Sequence, residues 1–171
     1  MIFAAPLRAM KKLLLLALIA LLPFTKAAAQ SIPVTDLQDA SGKIVVTSSL
    51  IDHKTPFIVS LWMTTCKPCL KELDATAEEL IDWDGPKAPR IYAVSIDDSR
   101  SLQRAIALSS GSAWDGITPL FDPNGDLRRA LDVSAVPQVF IYDKDGNLAY
   151  THIGYRPGDE LQTLAKLKEL Y

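Results

Sequence analysis

Cysteine and histidine are scarce in this chain of 171 residues: there are two of each, Cys66, Cys69, His53 and His152. Such a set is short of the Cys and His ligands that a structural zinc site takes. No metal site is expected. Nor can the cysteines staple a fold, because at this spacing they close almost no loop. An excess of positive charge is missing too. Lys and Arg number 18 against 20 Asp and Glu, for a net charge of −2. That balance excludes nucleic acid or an anionic membrane as the main partner. Long apolar runs are confined to Leu13–Leu22, which is short against the roughly 20 apolar residues of a membrane span. Beyond residue 29 there is no repeat, no low-complexity tract and no linker, so residues 30–171 read as one domain.

The start of the chain has three parts. Arg8, Lys11 and Lys12 are basic, Leu13–Leu22 is apolar, and Ala27-Ala28-Ala29 supplies small residues. This is the pattern of a secretory signal over residues 1–29, cleaved near Ala29. Met10, followed by two lysines, is an alternative start. Cleavage leaves 142 residues and a net charge of −6, since the signal holds four basic residues and no acidic one. The expected location is periplasmic or secreted, where disulfides can form.

Residues 31–52 read as a short hairpin around Asp39-Ala-Ser-Gly42. Phe57–Trp62 is nearly all apolar, as suits a strand covered on both faces. A helix follows to about Trp83, with Leu70, Leu73, Ala77, Leu80 and Ile81 as its stripe. Ile91–Ile96 is a second buried strand. Asp97-Asp98-Ser99 is expected to cap the next helix, with Leu102, Ile106 and Leu108 inward and a break at Ser109-Ser110-Gly111. Thr118–Phe121 is extended, and a helix runs from Asn124 to about Val133. Val139–Tyr142 and Leu148–Ile153 form a hairpin across Asp143–Asn147. That turn begins like a calcium loop, but Gly154 stands where the closing glutamate is needed. A last helix over Asp159–Tyr171 presents Leu161, Leu164, Leu167 and Leu170. The order implies a mixed sheet with helices on both faces and an N-terminal β-hairpin extension.

The two cysteines lie where the first apolar strand meets the first long helix. Unpaired N–H groups at a helix start favour the thiolate of the first sulfur. The thiolate is the reacting form in disulfide exchange. Cys66 is the expected nucleophile, and Cys69, one turn in and more buried, the resolving thiol. Lys67 adds a positive charge beside Cys66, and Pro68 stiffens the first turn.

Trp62-Met-Thr-Thr-Cys66-Lys-Pro-Cys69 resembles the active-site strand and loop of the thioredoxin superfamily. Val133–Gly146 resembles that superfamily's cis-proline segment and following hairpin. The N-terminal hairpin and the Asp97–Phe121 insertion resemble the exported thiol-disulfide branch related to TlpA and ResA. The resemblance implies a cis Val136–Pro137 bond beside the cysteines, with the Val136 backbone free to pair with an extended substrate. It places Trp62 beneath the loop and Thr65 on the surface around Cys66, and these four residues form the expected substrate site. Glu72, three residues after Cys69 and on its face of the helix, matches an acidic position linked to proton handling in the ResA-like branch. In thioredoxin a buried acid stands at the place of Ser60; here it is missing. Gln138 replaces a common threonine. His152 is read as an exposed strand residue, away from the thiols.

The chain is thus expected to be a thiol-disulfide oxidoreductase that reduces protein disulfides outside the cytoplasm. It would be recharged by a membrane-borne electron donor and would use no dissociable cofactor. The alternatives are a disulfide oxidase or isomerase, and a non-catalytic binding or metal-carrying module. The oligomeric state is not legible.

Overall fold

Strand β3 (Phe57–Trp62) is buried along its whole length because it has a neighbour on each side and cover on each face. The computed structural model describes residues 30–171; the proposed signal, 1–29, lies outside them. The other strands are β1 (Asp36–Gln38), β2 (Ile44–Val46), β4 (Arg90–Ser95), β5 (Ile117–Phe121), β6 (Gln138–Tyr142) and β7 (Leu148–Ile153). They form one mixed sheet in the order β2-β1-β5-β4-β3-β6-β7. β3, β4 and β5 are parallel, whereas β6 and β7 run antiparallel at one edge and β1 and β2 at the other.

Alternation along β3 sends Ile58, Ser60 and Trp62 to one face and Phe57, Val59 and Leu61 to the other. Each set seeds a core. On the first face helices α1 (Lys67–Ile81), α2 (Leu102–Gly111) and α4 (Asp159–Lys168) bury Leu73, Ala77, Ala105, Leu164 and Leu167. On the second face α3 (Asp126–Ala130) and the N-terminal segment bury Leu127, Leu37 and Ile32. The segment before β1 is tied to the far hairpin, with Ile32 N donating to Gly146 O at 2.9 Å. Among the described residues, no helix is long and apolar enough to cross a membrane.

The helical stripes differ in places from those the periodicity predicts. Ile81 is 81% exposed, because α1 ends there and the chain turns away. In α4 the inward positions are Glu160, Thr163, Leu164 and Leu167, so Leu161 faces out. Glu160 occupies an inward place because its carboxylate accepts the Gly158 N–H at 2.9 Å. Leu102, Ile106 and Leu108 are half-buried, and Ala105 is the position sealed against the core. The helix ends at Gly111, within the expected break, with Ser109 and Ser110 still in its last turn. The hydroxyls of Ser109 and Ser112 donate back to the Ile106 and Leu108 carbonyls, which lets the last turn close. α3 starts at Asp126, two residues later than expected, where Asp122 caps it by accepting from the Asp126 and Arg128 amides.

Candidate active site

The parallel ladder carries β3 and β4 to the same edge, where Trp62 lies opposite Ser95. Just past that edge β3 gives way to Met63-Thr64-Thr65, and α1 begins. Cys66 is the N-cap of α1, with Pro68 in its first turn. Proline costs nothing there, since its missing N–H would have no partner within the helix. Cys66 and Cys69 are joined as a disulfide, their Cα atoms 5.3 Å apart. The Cys69 N–H points at the Cys66 sulfur, 3.3 Å away. Cys66 is half-buried and Cys69 is sealed in the core, so only the first sulfur is open to attack. Thr65, Lys67 and Pro68 are exposed around it.

The Val136–Pro137 peptide is cis. It brings the Val136 carbonyl oxygen to 3.7 Å from the Cys66 sulfur, across 70 residues of sequence. Pro137 is buried and Val136 half-buried. Trp62 is fully buried and meets Trp114 edge to face, with ring centroids 5.2 Å apart. It supports the loop from below and offers no surface to a substrate. Trp114 is held in turn by its indole N–H, which donates to Asp74 at 2.8 Å.

Asp97 is a residue the sequence reading misplaced. It does not cap a helix. Its carboxylate, 3% exposed, accepts from the Thr64 amide at 2.8 Å, the Thr64 hydroxyl at 2.7 Å and the Ser95 hydroxyl at 2.9 Å. Arg104 on α2 also donates to the Thr64 hydroxyl, at 2.6 Å. The loop before Cys66 is therefore pinned from β4 and α2. The available signal was an aspartate just past the end of a buried parallel strand, level with the loop that leaves its neighbour.

Beneath the cysteines lies a second polar group. Glu72, one turn after Cys69, is only 3% exposed. Its Oε2 accepts from the Ser60 hydroxyl at 3.4 Å, and its Oε1 lies 3.3 Å from His152 Nε2. Burial pushes the Glu72 carboxyl above the usual glutamate value, although His152 and Ser60 pull the other way. The carboxylate beside it raises His152 above the ordinary histidine value, against burial. Both groups therefore hold their protons longer than in water. His152 is not the exposed residue that the sequence suggested. On β7 it lies opposite Val139 and shares the half-buried side with Tyr150, whereas a bulge turns Leu148 to the other core. Among the described residues, no group of three or more His, Cys, Asp or Glu is placed to hold a metal ion.

A strand that ends in a capped helix, a cysteine pair spanning the cap, and a cis-proline facing it define a thioredoxin-like thiol-disulfide oxidoreductase. More particularly, the chain belongs to the AhpC/TSA family, whose model matches residues 28–151. It is similar to the thiol:disulfide interchange protein DsbE of Vibrio cholerae, 24% identical over 82% of this chain and 73% of that protein. A DsbE homolog from Paracoccus denitrificans is 26% identical, over 66% of this chain and 59% of the relative. Among solved structures, a thioredoxin-like protein from Porphyromonas gingivalis is 40% identical with a TM-score of 0.70, over 81% of this chain and 90% of that one. StoA from Bacillus subtilis, 17% identical with a TM-score of 0.57 over 78% and 97% of the two chains, shares the fold.

Proposed function

We propose that the protein reduces disulfides of exported proteins, with Cys66 as nucleophile and Cys69 as resolving thiol. The observation that carries this is the unequal burial of the two sulfurs at a helix N-terminus. Cys66 thiolate attacks one sulfur of the substrate disulfide. A Cys66–substrate bond forms, and the other substrate sulfur leaves as thiolate. Cys69 then gives its proton to the Glu72 carboxylate and attacks Cys66. The internal disulfide closes, and the second substrate thiolate departs and takes up a proton. Each turnover moves two electrons from the cysteine pair to the substrate. The Glu72 carboxyl, raised above the ordinary glutamate value by burial, is suited to accept a proton there and give it up again.

Thr65, Val136 and Pro137 frame the substrate's approach. The Val136 backbone is the edge on which an extended substrate would pair. Lys67 favours the Cys66 thiolate, and Pro68 sets the first turn of the helix. The proposed location is periplasmic or otherwise extracytoplasmic, reached through the signal over residues 1–29. That reading is supported by the kinship with DsbE and by likeness to an exposed lipoprotein thioredoxin of Streptococcus pneumoniae. Outside the cytoplasm the oxidised pair needs a membrane-borne electron donor.

The test is Cys69→Ala in the full chain. It should accumulate mixed disulfides through Cys66 on exported proteins, and these should vanish under reductant. If no thiol-dependent adducts form, turnover at this pair is refuted. Direction is read from the reduction potential: about −270 mV fits a reductant, and about −120 to −180 mV overturns that direction.

A further inference from the structure

The proton that Glu72 takes from Cys69 has no open way out through α1. Glu72 is sealed on that side by Leu73, Thr76 and the sheet residues Ile58 and Val139, around a void of only about 10 Å³. On its other side stands His152. The Nε2 atom is buried 3.3 Å from Glu72 Oε1, within ion-pair reach but off the angle of a hydrogen bond, while the ring also lines an open cleft of about 430 Å³. Tyr150, Tyr155, Arg156 and Asp159 share that cleft. His152 is the residue that touches both the buried carboxylate and the solvent-filled side.

We propose that His152 is a positioning residue that, from the cleft side, sets the pH at which Glu72 is free to take the Cys69 proton. The inference rests on Glu72 being the acceptor for Cys69. The imidazole suits the task because it gains a positive charge on protonation and stands 3.3 Å from the carboxylate. The charged and titratable groups around the pair are Cys69, one turn before Glu72 on α1, with Tyr150 on β7, Tyr155 and Arg156 in the following loop and Asp159 on α4 around the cleft. Asp159 raises both Glu72 and His152. It thus keeps a proton at the pair, ready for exchange. When Cys69 deprotonates, Glu72 becomes neutral. The imidazolium of His152, 3.3 Å away, favours the return of Glu72 to the carboxylate. No electron moves in these steps.

The experiment uses the reduced full chain and a chromogenic aryl disulfide in a stopped-flow instrument. Attack by Cys66 releases one aryl thiolate, and resolution by Cys69 releases the second. The second phase is followed against pH. Replacing His152 by Gln removes the cation beside Glu72, so the carboxyl titrates higher. The acidic limb of the second phase should move up by about one pH unit, roughly a tenfold loss on that limb, with the alkaline plateau kept. His152→Lys leaves a cation in place through the neutral range and should move the limb down. A structural role would slow both variants alike at every pH. Coincident profiles, uniform slowing or the reverse order of the two limbs would each overturn the proposal. Glu72→Gln separates the two readings. If it leaves the second phase unaltered, the role of Glu72 falls and this inference with it. If it slows that phase while the His152 variants break the order, only the inference falls.

Discussion

Asp97→Ala tests how far the geometry of the cysteine loop depends on one buried carboxylate. Three donors converge on it: the Thr64 amide, the Thr64 hydroxyl and the Ser95 hydroxyl, all within 2.9 Å. Hydrogen bonds to a charged group contribute about 1.5–3 kcal/mol each, so the three together set a ceiling of about 5–9 kcal/mol. Removing the carboxylate also relieves the cost of keeping a charge out of water, several kcal/mol in effect. Arg104, at 3.9 Å and more than half exposed, contributes little as an ion pair. The net loss is about 3 kcal/mol, near what breaking a buried charged network costs. For a domain of this size that lowers Tm by about 8 °C. Asp97→Asn keeps an acceptor but turns an amide N–H toward a donor, and should lose about half as much. The assay is urea unfolding of the oxidised protein, read as a midpoint shift at constant slope. A loss below about 1 kcal/mol for Asp97→Ala would refute the reasoning, because neutral bonds alone would then suffice.

Two further outcomes follow from the core and from the Glu72 site. Leu73 is fully buried between α1 and the sheet, and Leu73→Ala should cost about 2–5 kcal/mol in urea unfolding through the cavity it leaves. Glu72 has a folded value raised above the unfolded one, so its contribution is fully present below the ordinary value of 4.5 and is lost as pH rises through the folded value. Glu72→Gln should therefore be more stable than the wild type at high pH, above the folded values of both Glu72 and His152, and equal to it below about pH 4. Parallel Tm-versus-pH curves for the two proteins would contradict the burial of that carboxylate.

Local patterns explain which features could be read from the chain. The all-apolar run Phe57–Trp62 marks a strand covered on both faces, and it is the middle of the sheet. The turn Asp39–Gly42 and the turn Asp143–Asn147 carry their own side-chain bonds, in which Asp39 accepts from the Ser41 amide and Asp143 from the Asn147 amide. Each is fixed by residues within five positions, so a short window suffices to find it. Asp97 and His152 failed for the opposite reason. Asp97 works across 33 residues, through the side-by-side ending of two parallel strands. His152 reaches Glu72 from a strand 80 residues later, and a composition argument saw only a lone histidine. The parity of β7 gave no guide, because a bulge turns Leu148 to one core and leaves Tyr150 and His152 on the side of the other. Ile153, apolar and exposed, obscured the side further.

The place of the acid constrains how such a site can be tuned. Where thioredoxin carries its buried acid, β3 here supplies Ser60, whose hydroxyl donates to Glu72. The carboxylate comes instead from α1, the helix that carries both cysteines. Cys69 and Glu72 are then spaced by the helix itself, one turn apart, and a shift of α1 against the sheet leaves that spacing unchanged. The contacts that such a shift would change are those to Ser60 on β3 and to His152 on β7. Ser60 lies in the middle of the sheet between β4 and β6, where packing holds it. β7 is an edge strand, paired with β6 and, at its first residue alone, with Gln30 through the Leu148 N–H. Substitutions on β7, and not near the cysteines, are therefore where the protonation of Glu72 can be altered without disturbing Cys66.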